Sequence, residues 1–448
     1  TVEMTSGSLW KNILLFSLPL MVTQVLEVLF NLSDVAIAGK YAYNTYIALG
    51  AVGSTTTLVS LFTGLLIGLG AGVNVAVARG LGMGSDEDVE RTTHSSAIIC
   101  FAVGVLTCLL CVFFAEPMLQ MLNTKEEFLP GAVLYLKLFA IGLPGMGLYN
   151  CGNGILSATG DTKRPLIYLA VAGVLNVILN LVFVIGCNMS AEGVAIASAI
   201  AQWVSALLIL AHLLRRKDAC RLEVRKLRLH RMASKRVLMI GIPSGLQNAI
   251  FAVANLFVQA GLNSFDEITV SGAAAAANAD TLVFNILAAF YTACASFVSR
   301  NWGAGNKERI TKTYLISMFY AFAVGSICGG LLLVFGRQFL GLFADKPEVI
   351  DAGMDRLRIM AFSYGFGSLM DASIAASRGI GKSIIPTFMV IMGSCVFRVI
   401  WIYTVFAYFH TVPSLYLLYI FSWVITGIAE CIYFRYAYKK FVLKAQVW

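Results

Sequence analysis

The sequence predicts an all-α polytopic membrane protein whose twelve transmembrane helices form two six-helix lobes. Hydrophobic residues make up 58% of the 448 residues and charged residues only 13%, whereas a soluble domain is roughly half apolar and about 25% charged. The apolar excess falls in blocks long enough to cross a hydrocarbon layer about 30 Å thick. Backbone groups in lipid must bond within their own segment, so these blocks predict helices rather than the short alternating strands of a porin.

The apolar blocks divide the chain into twelve predicted spans. The first six are Asn12–Ala38, Ile47–Ala76, Ser95–Ala115, Gly131–Ser157, Pro165–Cys187 and Gly193–Leu214. The last six are Val237–Asn263, Thr269–Val298, Tyr314–Phe335, Gly353–Ser377, Ile385–Phe409 and Pro413–Tyr436. In the second span, Gly64, Gly68 and Gly72 lie on one helical face, which predicts a close contact with a neighbouring helix.

The net charge of +9 is distributed unevenly between the two sides of the predicted membrane. Of the 33 Lys and Arg residues, 25 fall on the side of the N-terminal segment, ten of them between Arg215 and Arg236. Seven are counted with the opposite side, including Lys137, Arg356 and Arg358 toward the ends of their spans, and only Arg398 lies deep inside a span. This asymmetry follows the positive-inside rule and predicts a multi-pass protein of the cell (inner) membrane with both termini in the cytoplasm. The basic charge therefore indicates topology, and no nucleic-acid partner is expected.

Loop motifs recur at a fixed spacing in the two halves of the chain. The glycine-rich segment that begins at Arg79 returns at Arg300, and Gly160 and Pro165 return at the same offset as Gly381 and Pro386. Pro19 and Asn31 recur as Pro243 and Asn255, at a nearly equal offset. We therefore predict an N-lobe (1–214), a basic cytoplasmic linker (215–236) and a C-lobe (237–448), related by a pseudo-two-fold axis along the membrane normal.

The first half carries polar side chains that predict an ion site. Gln24, Glu27, Asn31 and Asp34 share one face of the first helix, and Asn176, Asn180 and Ser198 add polar groups from the fifth and sixth spans. A buried ionisable group in lipid costs several kcal/mol unless it is paired or hydrated. Carboxylate and amide oxygens can replace the hydration shell of Na⁺, or Asp34 can carry a proton. The alternative is a hydrogen-bond network that only joins the helices.

The second half is polar at different positions, which we interpret as a substrate cavity. Its candidate residues are Asn255, Gln259, Asp280, Tyr364, Asp371 and Arg398, with Tyr149 and Gln24 added from the first half. Arg398 needs a counter-charge, and Asp371 is a reasonable partner. A structural salt bridge and a substrate site are equally compatible with this pair. Glu430 lies near the cytoplasmic end of its span, where it could simply reach water.

These residues together resemble the multidrug and toxic compound extrusion (MATE) family over almost the whole chain. The resemblance is carried by Leu18 to Gly39, the paired loops after Arg79 and Arg300, Leu175 to Asn180, Gly193 to Ser198 and Met370 to Ser383. It implies export of small, amphipathic organic cations by a monomer without a cofactor, in exchange for H⁺ or Na⁺. It also implies an N-lobe ion site at Asp34, Asn176, Asn180 and Ser198, with Na⁺ the only metal expected there.

The chain departs from the family pattern in the ion site. Asn180 stands where one branch of the family has Asp, and Ser198 replaces a more usual Thr while keeping the hydroxyl. Glu27, outside the usual pattern, can supply the second acid. The resemblance therefore leaves H⁺ and Na⁺ coupling open.

Two other functions remain as alternatives. A flippase for a lipid-linked sugar, from the same superfamily, would favour a cavity rich in Arg and Lys, and only Arg398, deep inside its span, qualifies. An intramembrane enzyme would need a nucleophile with a base, or a metal cluster, inside the spans. The four histidines lie at span ends or in loops: His94, His212, His230 and His410. We therefore expect a transporter and not an enzyme.

Overall fold

Helices make up nearly all of the chain in the computed structural model, which describes residues 1–444. They are α1 (Leu9–Tyr41), α2 (Thr45–Met83), α3 (Asp86–Met121), α4 (Leu129–Ala140), α5 (Leu143–Ala158), α6 (Lys163–Gly186), α7 (Ala191–Arg215), α8 (Arg231–Leu262), α9 (Glu267–Gly303), α10 (Lys307–Leu340), α11 (Pro347–Gly379), α12 (Ile384–Phe409) and α13 (Val412–Leu443). A single helical turn, Val224–Lys226, interrupts the basic segment. No strand occurs within residues 1–444, so the all-α prediction is confirmed.

Most of these helices are long and apolar enough to span a membrane. Ten qualify individually, and α4 with α5, which are bent by 44°, make an eleventh span. The bend falls in the predicted fourth span, where Pro144 opens α5. Helix α11 has 33 residues but lower hydropathy, because it carries charges such as Asp355 and Arg356. With α11, the described residues contain the twelve long helical segments that the sequence predicts.

The helix ends show why the chain turns where it does. Asn44 accepts a hydrogen bond from the Ile47 amide at 3.2 Å and so caps α2. Ser85 does the same for α3, with the Asp88 amide at 3.3 Å. Just before Ser85, Gly84 adopts a φ of 68°, in the left-handed region that glycine tolerates best. Gly305, its counterpart in the second half, has a φ of 77°.

The repeat predicted from the loop motifs is present in the helix boundaries. Helices α6 and α12 begin at Lys163 and Ile384, and α7 and α13 begin at Ala191 and Val412, so both pairs keep the offset that separates Arg79 from Arg300. A π-helical turn at Val182–Gly186 ends α6, and a turn of the same kind occupies Ile402–Phe406 of α12. The duplication therefore extends from the loops to the irregular turns inside the helices.

The chain separates into two compact units. The first unit comprises Thr1–Val2 and Val25–Ala249, and the second comprises Glu3–Gln24 and the described residues from Ile250 onward. Two of the three boundaries fall inside helices, in α1 and α8. The predicted lobes instead divide at the basic segment 215–236.

In the first unit, α2 packs closely on the first part of α8 through glycines. A Cβ added to Gly68 would lie 2.6 Å from the Gly245 Cα, and one on Gly72 would lie 2.8 Å from the Gly241 amide nitrogen. Neither helix can carry larger side chains here, so the close helix–helix contact predicted from Gly64, Gly68 and Gly72 is confirmed. The basic segment joins the same unit, since Arg236 forms an ion pair with Asp88 at 2.7 Å.

In the second unit, the segment before α1 is held by α9 and α10. Asn301 donates a hydrogen bond to the Met4 carbonyl at 3.0 Å, and Arg309 donates to the Gly7 carbonyl at 3.0 Å. Trp10 packs edge-on against Phe319 with ring centroids 5.4 Å apart. Backbone carbonyls of the N-terminal segment are therefore satisfied by side chains of the second unit.

Candidate functional site

Three helices of the first unit meet at the carboxylate of Asp34. Asp34 lies on α1 and accepts a hydrogen bond from the Asn180 amide of α6 at 2.5 Å. It accepts a second from the Ser198 hydroxyl of α7 at 3.3 Å. Asn180 is fully buried, and Asn176 and Ser198 are buried as well. The structure thus brings together the four residues that the family resemblance implies, on the helices the sequence assigned to them.

The amide oxygens of the site remain available. Among the described residues, the Oδ1 atoms of Asn176 and Asn180 are buried and have no hydrogen-bond partner. A buried amide oxygen without a partner costs free energy that a bound cation could recover. The two Asp34 oxygens, these amide oxygens and the Ser198 hydroxyl offer the all-oxygen environment that a small hard cation prefers. The same carboxylate could instead hold a proton, with Asn180 and Ser198 still bonded to it.

The remaining first-half candidates lie apart from this cluster or in the core. Glu27 is partly buried and Asn31 is exposed, although both lie on the polar face predicted for α1. Tyr149 is buried, and its hydroxyl donates to the Pro165 carbonyl at 3.0 Å. This hydrogen bond joins α5 to the start of α6. Gln24, the last residue of α1 assigned to the second unit, is partly buried.

In the second unit, Asp280 of α9 is paired with Arg356 of α11 at 2.7 Å. Tyr364 donates its hydroxyl to the other Asp280 oxygen, and the Arg356 guanidinium lies 5.1 Å from the centre of the Tyr416 ring. Sequence reasoning named Asp280 and Tyr364 but counted Arg356 with the loop charges. Arg356 could have been identified because a buried carboxylate such as Asp280 needs a cationic partner.

The suggested pair of Asp371 with Arg398 is wrong. The ion pairs of residues 1–444 include none between these two, and Arg398 bonds Asn255 instead. The cation within electrostatic range of Asp371 is Arg378, two helical turns later on the same helix, and Arg378 is also within range of Glu430 of α13. Glu430 is 0% exposed and does not reach water, because helix packing covers it. Spacing along a helix predicts a shared face, but it cannot identify which neighbouring helix covers that face.

Arg398 has a different environment from the other buried arginines. It is 2% exposed and donates one hydrogen bond, to the Asn255 Oδ1 atom of α8 at 3.1 Å. Its guanidinium lies 4.7 Å from the centre of the Tyr419 ring and 5.2 Å from that of Phe251. Within residues 1–444, no carboxylate forms a salt bridge with it. On α8, Asn255 and Gln259 are both exposed, and Gln259 donates to Asn263 at 2.8 Å.

A helical membrane fold with a partly buried carboxylate site in one unit and a buried arginine in the other is typical of a membrane transporter. The MatE family model matches residues 19–182 and 243–404, one segment in each half of the repeat. The chain belongs to this family, the MATE transporters, and is a multi-pass membrane protein.

Relatives and solved structures agree with this assignment. The chain is 26% identical over 370 residues to the "Probable multidrug resistance protein YpnP" of Bacillus subtilis, covering 81% of each chain. It is 24% identical over 366 residues to the "FAD transporter" of Shewanella oneidensis, covering 80% of each. The fold matches an outward-facing multidrug resistance MATE family transporter of the MOP superfamily with a TM-score of 0.91, at 22% identity over 99% of both chains.

Proposed function

We propose that this transporter exports small amphipathic compounds with a cationic group in exchange for H⁺ or Na⁺, by alternating access. The observation that carries the proposal is the Asp34 carboxylate, which receives hydrogen bonds from Asn180 and Ser198 of two other helices. An ion bound there would touch α1, α6 and α7 at once. It can therefore change the relative free energies of two arrangements of these helices, as coupling requires.

The residues of the site have distinct roles in this proposal. Asp34 supplies the charge that a coupling cation or proton neutralises. Asn180 and Ser198 hold the carboxylate by donating to it, and the Oδ1 atoms of Asn176 and Asn180 complete the shell around Na⁺. Coupling by H⁺ would leave those amide oxygens unused, so their unpartnered state favours Na⁺ as the first ion to test.

The relatives support transport of small organic compounds. One carries a multidrug resistance name, and another is named an FAD transporter. From these names we infer that the present chain moves small organic compounds across the cell membrane. We further propose that it does so as a monomer, without enzymatic chemistry or a cofactor. We also infer that both termini lie in the cytoplasm, because the basic residues between Arg215 and Arg236 favour that orientation.

The flippase alternative receives less support. A pyrophosphate carries several negative charges and is usually held by more than one cationic side chain. In the second unit, Arg356 is paired with Asp280, and Arg378 lies within electrostatic range of the carboxylates of Asp371 and Glu430. Arg398 is left as a single cation, which is enough for one anionic group.

The test is efflux from proteoliposomes that hold purified protein and a fluorescent amphipathic cation. An inward-directed Na⁺ gradient and an inward-directed H⁺ gradient are imposed separately, with ionophore-treated vesicles as controls. We expect one gradient to drive dye out of the vesicles and the ionophore for that ion to stop it. Dye efflux that is identical with and without both gradients would reject ion-coupled export.

A further inference from the structure

Arg398 lies on α12, the helix that corresponds by the repeat to α6. In the first unit, α6 carries the ion-site residues Asn176 and Asn180. Helices α12 and α13 correspond to α6 and α7 at the offset of the repeat, and Tyr419 occupies the position of Ser198. Asn255 of α8 occupies the position of Asn31 of α1, at the offset that relates Pro19 to Pro243. The helices that surround a carboxylate in the first unit therefore surround a guanidinium in the second.

The packing around Arg398 leaves its charge uncompensated. Its polar partner is the neutral Asn255 amide at 3.1 Å, and its Nε atom is buried without a hydrogen-bond partner. The rings of Phe251 and Tyr419 stabilise the cation from their faces, but they cannot neutralise it. A buried charge without a counter-ion is costly, and the ion pair of Arg356 with Asp280 in the same unit shows how the fold compensates one.

The backbone at Arg398 is also irregular. Arg398 sits in a five-residue α-helical segment, Phe397–Trp401, with π-helical turns on both sides at Ile391–Val396 and Ile402–Phe406. Such turns are rare inside α-helices and occur often at functional sites. Both turns flank the segment from which Arg398 contacts Asn255 of α8 and Tyr419 of α13.

Exposed amide side chains extend from the partner of Arg398 along α8 and just beyond its end. Asn255, Gln259 and Asn263 follow one another one helical turn apart, and all three are exposed. A row of exposed amides facing lipid would be unfavourable, so this row faces a hydrated part of the protein. An anionic group arriving there could replace the Asn255 Oδ1 atom and accept a two-point hydrogen bond from Arg398.

We propose that Arg398 is the receptor for an anionic group, a carboxylate or a phosphate ester, on the transported compound. The inference rests on the proposed function, because it specifies the substrate of the same transporter. The compounds carried best are then amphipathic zwitterions, whose anionic group binds at Arg398 and whose aromatic body remains free to contact other surfaces. Phe251 and Tyr419 keep the guanidinium in place, and the Asn255 Oδ1 atom accepts its hydrogen bond when no substrate is bound.

The test compares one rhodamine dye in two forms, the cationic ethyl ester and the free carboxylic acid. Binding of each to the purified full-length protein in nanodiscs is measured by fluorescence anisotropy, for the wild type, Arg398→Gln and Arg398→Lys. We expect Arg398→Gln to weaken binding of the acid about tenfold or more, since charge-assisted hydrogen bonds are lost. Ester binding should change by less than about twofold, and Arg398→Lys should retain part of the affinity for the acid. Equal effects on acid and ester would overturn the proposal.

Asn255→Ala keeps the arginine and provides a second test if Arg398→Gln fails to fold. Removing the competing amide should strengthen binding of the acid and leave the ester unchanged. An unchanged affinity for the acid would contradict the role of Asn255 and the proposal with it. Nanodiscs with and without phosphatidylglycerol separate a substrate from a lipid headgroup. If the anionic lipid displaces the acid from the wild type alone, the site holds lipid and the substrate assignment is wrong.

Binding and transport distinguish this proposal from the proposed function. Dye efflux from proteoliposomes is measured for the same variants. If the wild type binds the acid through Arg398 but exports neither dye under any ion gradient, ion-coupled export fails and the anion site stands. If gradients drive export of both dyes equally in the wild type and Arg398→Gln, export stands and the anion site fails.

Discussion

The two units carry opposite charges on corresponding helices. In the first unit, α1, α6 and α7 bring Asn180 and Ser198 to the Asp34 carboxylate. In the second unit, α8, α12 and α13 bring Asn255 and Tyr419 to the Arg398 guanidinium. Helices α6 and α12, and likewise α7 and α13, begin at equivalent positions of the repeat, and α6 and α12 share a π-helical turn. The helices were therefore kept after duplication, while a few side chains changed the charge.

Under the two proposals above, this difference is a division of labour within one transporter. A site that exchanges a small cation needs oxygen atoms that can replace the hydration shell of the ion, and the first unit supplies them. A site that selects an organic compound can use a fixed charge with aromatic neighbours, and the second unit supplies that. Function therefore lies in the side chains placed on the frame and not in the frame itself.

The largest effect that the comparison predicts is for Asp34→Asn. The amide keeps the size and hydrogen-bonding capacity of the side chain but removes the charge that a coupling ion neutralises. Ion-driven dye efflux from proteoliposomes should fall to the level of protein-free vesicles, while dye binding to the purified variant persists. Glu27→Gln is the matched control on the same helix and should have a milder effect. The division of labour would be refuted if Asp34→Asn still responded to an ion gradient near the native rate, or if Glu27→Gln alone abolished the response.

A second prediction separates the paired and unpaired arginines of the second unit. Arg356→Gln leaves Asp280 as an unpaired buried carboxylate, and breaking such a pair costs about 3–5 kcal/mol. Arg398→Gln leaves no carboxylate behind and should cost much less. The midpoint of thermal unfolding in detergent should therefore fall more for Arg356→Gln. The double variant Asp280→Asn with Arg356→Gln should recover part of the loss. Equal midpoints for both arginine variants would show that Arg398 is also part of a structural pair.

The helical architecture could be predicted because its physical cause is local. Apolar blocks identify the spans, and glycine marks the loops that need a left-handed φ, as Gly84 and Gly305 show. The predicted ends of the spans were less accurate. The second predicted span stopped at Ala76, whereas α2 continues to Met83, because backbone hydrogen bonding continues after the apolar block ends.

The sites could be predicted only in part. Asp34, Asn180 and Ser198 stood out because polar groups are rare in spans and because the family resemblance connected the three helices. The sequence interpretation paired Asp371 with Arg398 and overlooked Arg378, which lies on the same helix as Asp371. A separation of two helical turns places Asp371 and Arg378 on one face, and that signal could have favoured the correct arginine. No local pattern could show that aromatic rings surround Arg398.

The smallest effect concerns the hydroxyl at Ser198. Its bond to Asp34 is long, at 3.3 Å, and the carboxylate keeps its shorter bond to Asn180 when Ser198 is changed. A net contribution of about 0.5–1.5 kcal/mol is expected for one such bond. Ser198→Ala should therefore raise the concentration of coupling ion needed for half-maximal efflux by roughly two- to tenfold, with the maximal rate unchanged. Ser198→Thr keeps the hydroxyl and should stay closer to the wild type. Tyr419→Phe, at the corresponding position of the second unit, should leave the ion dependence as it is, because the proposal places the coupling ion in the first unit. A shift in ion dependence for Tyr419→Phe as large as that for Ser198→Ala would mean that both units contribute to ion coupling.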